Sequence, residues 1–153
     1  MATLAQAMTS FVFEERALDA RDRVIAAALA EGARYKEELL ERAGGAYTAE
    51  QIGQVLGGKS RQAIAEGRKT NLYFGVPAGR GYAYPKCQVT ESGILPGLRQ
   101  FLDAFILPDP WMKLALLLEP SAQLEGRSPL DALRLGEVEP AVGVAKSYGG
   151  HGA

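Results

Sequence analysis

The chain has 153 residues, 47% of them hydrophobic and 23% charged, enough for one domain with a respectable core or for two small ones. No apolar run approaches the ~20 residues of a membrane helix, and the amino terminus lacks the basic and apolar regions of a signal peptide, so a cytoplasmic protein without a membrane partner is expected. Cys87 and His151 are the single cysteine and the single histidine, which excludes an intramolecular disulfide and a Cys/His metal cluster.

Enzymatic readings fare poorly on this inventory, and no catalytic residue or cofactor is assigned. Cysteine–histidine chemistry would need Cys87 to meet His151, which sits in a Gly-Gly-His-Gly-Ala tail. Gly57-Gly58-Lys59-Ser60 mimics the end of a phosphate-binding loop but lacks its first glycine and a preceding strand.

Residues 1–12 carry too little pattern to place and read as a short helix or a loose arm. Residues 14–43 read as one helix or a broken pair, with Leu18, Ile25, Leu29, Lys36 and Leu40 near one face and Asp19/Arg23 and Glu38/Arg42 spaced for i,i+4 pairs. Ala26 to Ala30 is apolar nearly all round, which predicts burial on more than one side, beneath the next unit or in a dimer.

After Gly44-Gly45, Thr48 and Gln51 have the spacing of a capping box, and Ile52, Val55 and Leu56 form one apolar face of a helix. Gly53 leaves room for a second helix to cross closely, and Gly57-Gly58 makes the turn. Ser60 caps the next helix, roughly Arg61 to Lys69, which should bury Ala63 and Ile64 and present Arg61, Gln62, Arg68 and Lys69 outward. Arginine suits guanine O6/N7 and glutamine suits adenine N6/N7, and the first turn of a reading helix is where such contacts are made. Glu66-Gly67 offers an earlier helix end at Glu66, which would leave Arg68 and Lys69 on the connection that follows.

Tyr73 to Val76 and Tyr82 to Tyr84 are β-prone runs flanking a five-residue turn, Pro77 to Gly81, and Pro85 stops the second strand. Arg80, between glycines at the tip, can approach a sugar-phosphate backbone; Cys87 reads as a small hydrophobe behind the hairpin. Charge supports this reading: residues 47–90 hold 6 Lys/Arg against 2 Asp/Glu, whereas residues 1–46 hold 6 against 8 and residues 91–153 hold 5 against 8.

Gly93 to Gly97 reads as a linker. Leu98, Phe101, Leu102 and Phe105 then mark a short amphipathic helix, and Asp109-Pro110 caps a nearly all-apolar helix, Trp111 to Leu118, suited to a core or to an oligomer interface. Ser128-Pro129 with Asp131 caps another helix, and Val138 to Tyr148 forms the last, ending at Gly149-Gly150. The expected fold is mainly α. A helical segment (1–46) precedes a winged helix-turn-helix with a short β-hairpin (47–90) and a small helical bundle (91–153).

The carboxy-terminal run from Asp109-Pro110-Trp111 through Leu116-Leu117-Leu118, Gly126-Arg127-Ser128-Pro129-Leu130 and Gly136-Glu137-Val138 to Ala145-Lys146-Ser147-Tyr148-Gly149 resembles the toxin-binding domain of the Xre/MbcA/ParS antitoxin family. Gly81 to Pro85 resembles the Gly-Tyr-x-Tyr-Pro wing of members that carry a preceding helix-turn-helix, so the resemblance covers roughly residues 30–152. It implies a bacterial, homodimeric antitoxin of a type II toxin-antitoxin system that neutralises a RES-domain, NAD-consuming toxin and represses its own operon on double-stranded DNA. Lys146, Tyr148 and His151 become candidate toxin contacts, and Lys59, Ser60, Arg61, Gln62, Arg68, Lys69, Arg80 and Tyr82 the candidate DNA contacts. The alternative from the residues alone is a stand-alone dimeric transcriptional regulator with no toxin partner. The chain departs from the family in the Gly57-Gly58-Lys59-Ser60 turn, one residue longer than the usual Gly-apolar-Ser, and in Glu66-Gly67, where basic residues are common.

Overall fold

The computed structural model describes residues 23–24, 26–106 and 108–148. The expectations for residues 1–12, for Leu18, Ile25 and the Asp19/Arg23 pair, and for Gly149-Gly150 and His151 lie outside the described residues. The chain divides into two units, Met1–Glu38 and Leu39–Ala153. In the first, residues 26–38 are helical and exposed.

The second unit is mainly helical with a small antiparallel sheet. It opens with the last turn of the helix α1 (26–42), where Leu39 and Ala43 are buried. Arg42 does not turn back to Glu38: its guanidinium donates to the Leu118 carbonyl at 2.9 Å and lies 4.0 Å from Glu119. Strand β1 (Ala46–Tyr47) follows, then helices α2 (Ala49–Val55) and α3 (Arg61–Lys69). The capping box on α2 is complete. Gln51 N–H donates to Thr48 Oγ1 at 3.1 Å and Thr48 N–H to Gln51 Oε1 at 2.9 Å.

Helix α2 closes with Gly57 at φ 97°, Gly57 N–H donating to Gln54 O and Gly58 N–H to Gly53 O, a left-handed stop that a side chain at Gly57 would strain. Gly53 meets the incoming chain as expected, because a Cβ there would collide with the Lys59 carbonyl. Ile52 and Ile64 are fully buried between the two helices, whereas Val55 and Ala63 are exposed, against expectation. The apolar stripe at this crossing is thus narrower than helical spacing suggested. The chain turns away at Gly57 before a third row can be covered.

Strands β2 (Val76–Ala78) and β3 (Gly81–Pro85) form a hairpin, with Val76 opposite Ala83 and Ala78 opposite Gly81. The turn is two residues, Gly79-Arg80, rather than the expected five. Pro77 and Ala78 belong to the strand instead of the loop, and Tyr73 and Phe74 precede it, buried. β1 pairs with the far end of β3, Ala46 opposite Pro85 and Tyr47 opposite Tyr84, giving the sheet order β1-β3-β2. A 3-10 turn (Lys86–Gln88) follows. Then β4 (Val89–Thr90) pairs with β5 (Gly93–Ile94), a second hairpin where a linker was expected.

Helices α4 (Leu98–Asp103), α5 (Pro110–Leu118), α6 (Pro129–Arg134) and α7 (Val138–Ser147) complete the fold, with a 3-10 turn (Ala122–Leu124) before α6. Asp109 caps α5 through the Trp111 N–H at 3.0 Å. Ser128 and Asp131 form the expected reciprocal box on α6. The most buried face of α5 carries Leu114, Leu117 and Leu118; Trp111, Ala115 and Leu116 are half-buried against the same core, which assigns this helix chiefly to packing. Phe101, Leu102, Leu124, Leu133, Ala141 and Ala145 continue that core, each large apolar side chain contributing roughly 1.5–3 kcal/mol by leaving water.

Candidate nucleic-acid interface

Helix α3 is the element around which the candidate residues gather. Ser60 Oγ accepts from the Ala63 N–H at 3.1 Å, so its hydroxyl is engaged as a cap. Lys59, Arg61 and Gln62 are exposed beside it, at the end where unpaired N–H groups and the helix dipole favour an anion. Lys69 is exposed in the last turn, which at ~1.5 Å per residue places it about 12 Å along the axis from Arg61.

The alternative helix end at Glu66 is corrected. α3 runs through Gly67 to Lys69 and stops at Asn71, whose φ of 60° and N–H bond to Arg68 O, with the Leu72 N–H bonded to Gly67 O, form a Schellman closure. Asparagine is the non-glycine residue best suited to that conformation. Gly67 is buried because the Tyr73 phenol lies against its Cα, and the Tyr73 hydroxyl donates to Ile64 O at 2.8 Å. Burial, and then the neighbouring Tyr84, pushes the Tyr73 phenol above its ordinary pKa, keeping that donor protonated. The glycine read as a flaw in the helix is therefore the notch that receives a core tyrosine.

Arg68, expected to point outward, is half-buried and joins α3 to the hairpin. Its guanidinium carbon lies 3.7 Å from the centre of the Tyr82 ring, and Nε donates to Tyr84 Oη at 3.3 Å. Tyr84 in turn meets Tyr73 edge to face at 6.0 Å. Tyr82 is exposed on the hairpin with one ring face covered by Arg68, and Arg80 is exposed at the two-residue turn. Gly75 packs below them, 3.0 Å from Tyr84 Cε1 when a Cβ is imagined on it. Glu66 is exposed on the same helix.

Sequence reasoning missed the residues that hold this arrangement. Gln88 is fully buried, and its amide accepts from the Phe74 N–H at 2.8 Å and donates to the Phe74 carbonyl at 2.7 Å. Asn71 donates to Asp103 Oδ1 at 2.9 Å. A lone glutamine behind a hairpin has no local signature; the Gly67/Tyr73 pair, six residues apart, has one only in retrospect.

At the carboxy-terminal end of the described chain, Lys146 is exposed and Tyr148 half-buried at the close of α7, whose Ala141, Val142, Val144 and Ala145 are buried. Ser147 Oγ donates to Gly143 O at 2.9 Å. Arg127 pairs with Glu137 and donates to Leu124 O, which ties the Gly-Arg-Ser-Pro-Leu segment to the start of α7. Cys87 is buried, and that burial pushes its thiol up to about 11. Among the described residues no cluster of three His, Cys, Asp or Glu side chains could hold a metal, and no helix is long and apolar enough to cross a membrane.

Comparison of the chain with protein-family models, with curated proteins and with solved structures finds no match.

Proposed function

We propose that the chain is the antitoxin and autorepressor of a type II toxin-antitoxin pair, residues 47–90 serving as a winged helix-turn-helix on its own operator and residues 91–153 as the dimerisation and toxin-binding domain. The observation that carries the DNA half is the exposure of Lys59, Arg61 and Gln62 at the amino end of a nine-residue helix, with a hairpin locked to the same helix through Arg68 and presenting Arg80 at its turn. In this reading α3 enters the major groove and the hairpin is the wing. Arg61 and Gln62 read base edges, whereas Lys59, Lys69 and Arg80 meet phosphates. Arg68, through its contacts with Tyr82 and Tyr84, holds the wing rather than reading bases. The excess of cations in residues 47–90 supports the same assignment.

The test is binding to the chain's own upstream DNA across a salt series. Specific binding should weaken steeply with salt, Arg61→Ala should lose discrimination between operator and mismatched duplex, and Arg80→Ala should weaken all duplexes alike and lower the salt slope by about one. Salt-insensitive binding, or none from a folded dimer, rules the reading out. The toxin half rests on the resemblance of the carboxy-terminal run, with the RES-domain enzyme as partner. Because α7 is built into the core, deletion of it would unmake the domain; the exposed Lys146 is the better probe. Lys146→Glu should impair neutralisation in a co-expression growth assay while leaving DNA binding intact. Undiminished protection would exclude Lys146 from the toxin contact, and a genomic neighbourhood without a RES-type reading frame would favour the stand-alone regulator.

A further inference from the structure

A cleft of about 250 Å³ opens between the end of α3, the base of the β2–β3 hairpin and the first turns of α5, lined among others by Arg68, Asn71, Phe74, Pro77, Tyr82 and Lys113. Two cations share it. Among the described residues neither Arg68 nor Lys113 forms an ion pair with a carboxylate. Arg68 is held by the Tyr82 ring and by Tyr84 Oη through Nε, which leaves the two terminal nitrogens of its fork as free donors oriented by aromatic contacts.

Lys113 is half-buried, its ammonium 5.8 Å from the centre of the Phe105 ring. Burial lowers its pKa, and the one charge that opposes this is Asp103, a carboxylate already shared by Arg99 at 3.8 Å and Asn71 at 2.9 Å. Asp109, at the head of the same helix, is engaged by the Trp111 N–H. An anion in this cleft can accept charge-assisted hydrogen bonds from both cations, and weaker solvent screening there than in open water strengthens them. The volume is below the ~300 Å³ at which pockets for drug-sized ligands begin, which suits a compact tetrahedral oxyanion rather than a larger organic body.

We propose that this cleft is a phosphate site, in which Arg68 and Lys113 hold the oxyanion from two sides and Asn71 borders it. The phosphate can be free, as inorganic phosphate or a small phosphomonoester, or it can belong to a nucleic-acid backbone. The free-phosphate arm does not depend on the DNA reading. Because the site joins α5 to the hairpin, its occupancy would stiffen that junction.

The experiment is an NMR titration of the intact protein with sodium phosphate, against sodium chloride at matched ionic strength, repeated on Lys113→Gln. Saturable shifts at the amides of Asn71 and Lys113, absent from exposed Arg61 and Arg80, and weakened about tenfold in Lys113→Gln, identify a free-phosphate site. If inorganic phosphate does not bind, an operator or generic duplex replaces it: a loss of affinity in Lys113→Gln with a salt slope lower by about one assigns the site to a backbone phosphate. Lys146→Gln, outside the cleft and its charge network, is the control and should change neither arm. Phosphate shifts that never saturate, together with duplex binding unaltered by Lys113→Gln, overturn the proposal; the wild-type titration decides the free-phosphate arm even where a variant fails to fold.

Discussion

Replacing Gly67 with alanine separates a local from a tertiary account of helix α3. On propensity alone, an interior glycine changed to alanine gains about 1 kcal/mol. In the folded chain the new Cβ would fall on the Tyr73 phenol, against its hydroxyl oxygen and 2.7 Å from Cε2. Tyr73 is 1% exposed and cannot step aside into solvent. Forcing the ring to shift costs about 1–3 kcal/mol of overpacking, and unmaking the hydroxyl's bond to Ile64 O costs about 1–3 kcal/mol more. Net of the propensity gain, Gly67→Ala should destabilise the protein by about 1–5 kcal/mol. For a chain of this length that is a fall in Tm of roughly 2–20 °C. Urea unfolding followed by circular dichroism gives the free energy directly. Tyr73→Phe removes the clashing oxygen, so in the double variant the two losses should sum to less than the singles. A Gly67→Ala protein as stable as the wild type, or more so, would refute the notch and return Gly67 to being a plain helix defect.

Three further outcomes follow from the same packing. Gln88→Leu leaves the buried Phe74 N–H and carbonyl without partners and should cost about 2–4 kcal/mol in the same denaturation experiment; a change under about 0.5 kcal/mol would mean that water replaces the amide. Burial raises the Cys87 thiol from its ordinary 9.0 to about 11, so folding favours the protonated form. Its contribution to stability is whole below pH 9 and is lost as pH rises from there through about 11, and the stability gap between wild type and Cys87→Ala should shrink over that window in pH-resolved thermal melts. A gap that stays constant would count against it. Thr48→Ala removes the cap of α2 and should cost about 1 kcal/mol, most of it recovered by Thr48→Asp.

What could be read from the chain was what neighbours decide. Thr48 with Gln51, Asp109 with Pro110, and Ser128 with Asp131 satisfy helix ends within three residues, so type and position were both visible in the letters. The hairpin was visible from its aromatic runs, but its register was not: Ala78 opposite Gly81 depends on how Tyr73 and Phe74 are buried, which is a tertiary matter. Two-residue strands such as β1, β4 and β5 are too short to show alternation, and a partner across the sheet creates them. The candidate DNA residues were legible as cations, and their division was not. Arg61 and Arg80 are exposed, whereas Arg68 is claimed by Tyr82 and Tyr84, residues 14 and 16 positions downstream.

The carboxamide of Gln88 does for Phe74 what a neighbouring strand does elsewhere: it supplies one acceptor and one donor to a single residue's main chain. Phe74 lies just outside β2, where secondary structure alone would leave its amide open to solvent exchange. Its amide hydrogen should instead exchange only when the second unit opens, alongside those of α2 and α3 rather than with the hairpin tip. The contact spans 14 residues, a short loop to close, so it can form early and trap the hairpin's register before the carboxy-terminal helices dock. One side chain in the 3-10 turn thus clamps the base of the hairpin to the chain that follows it.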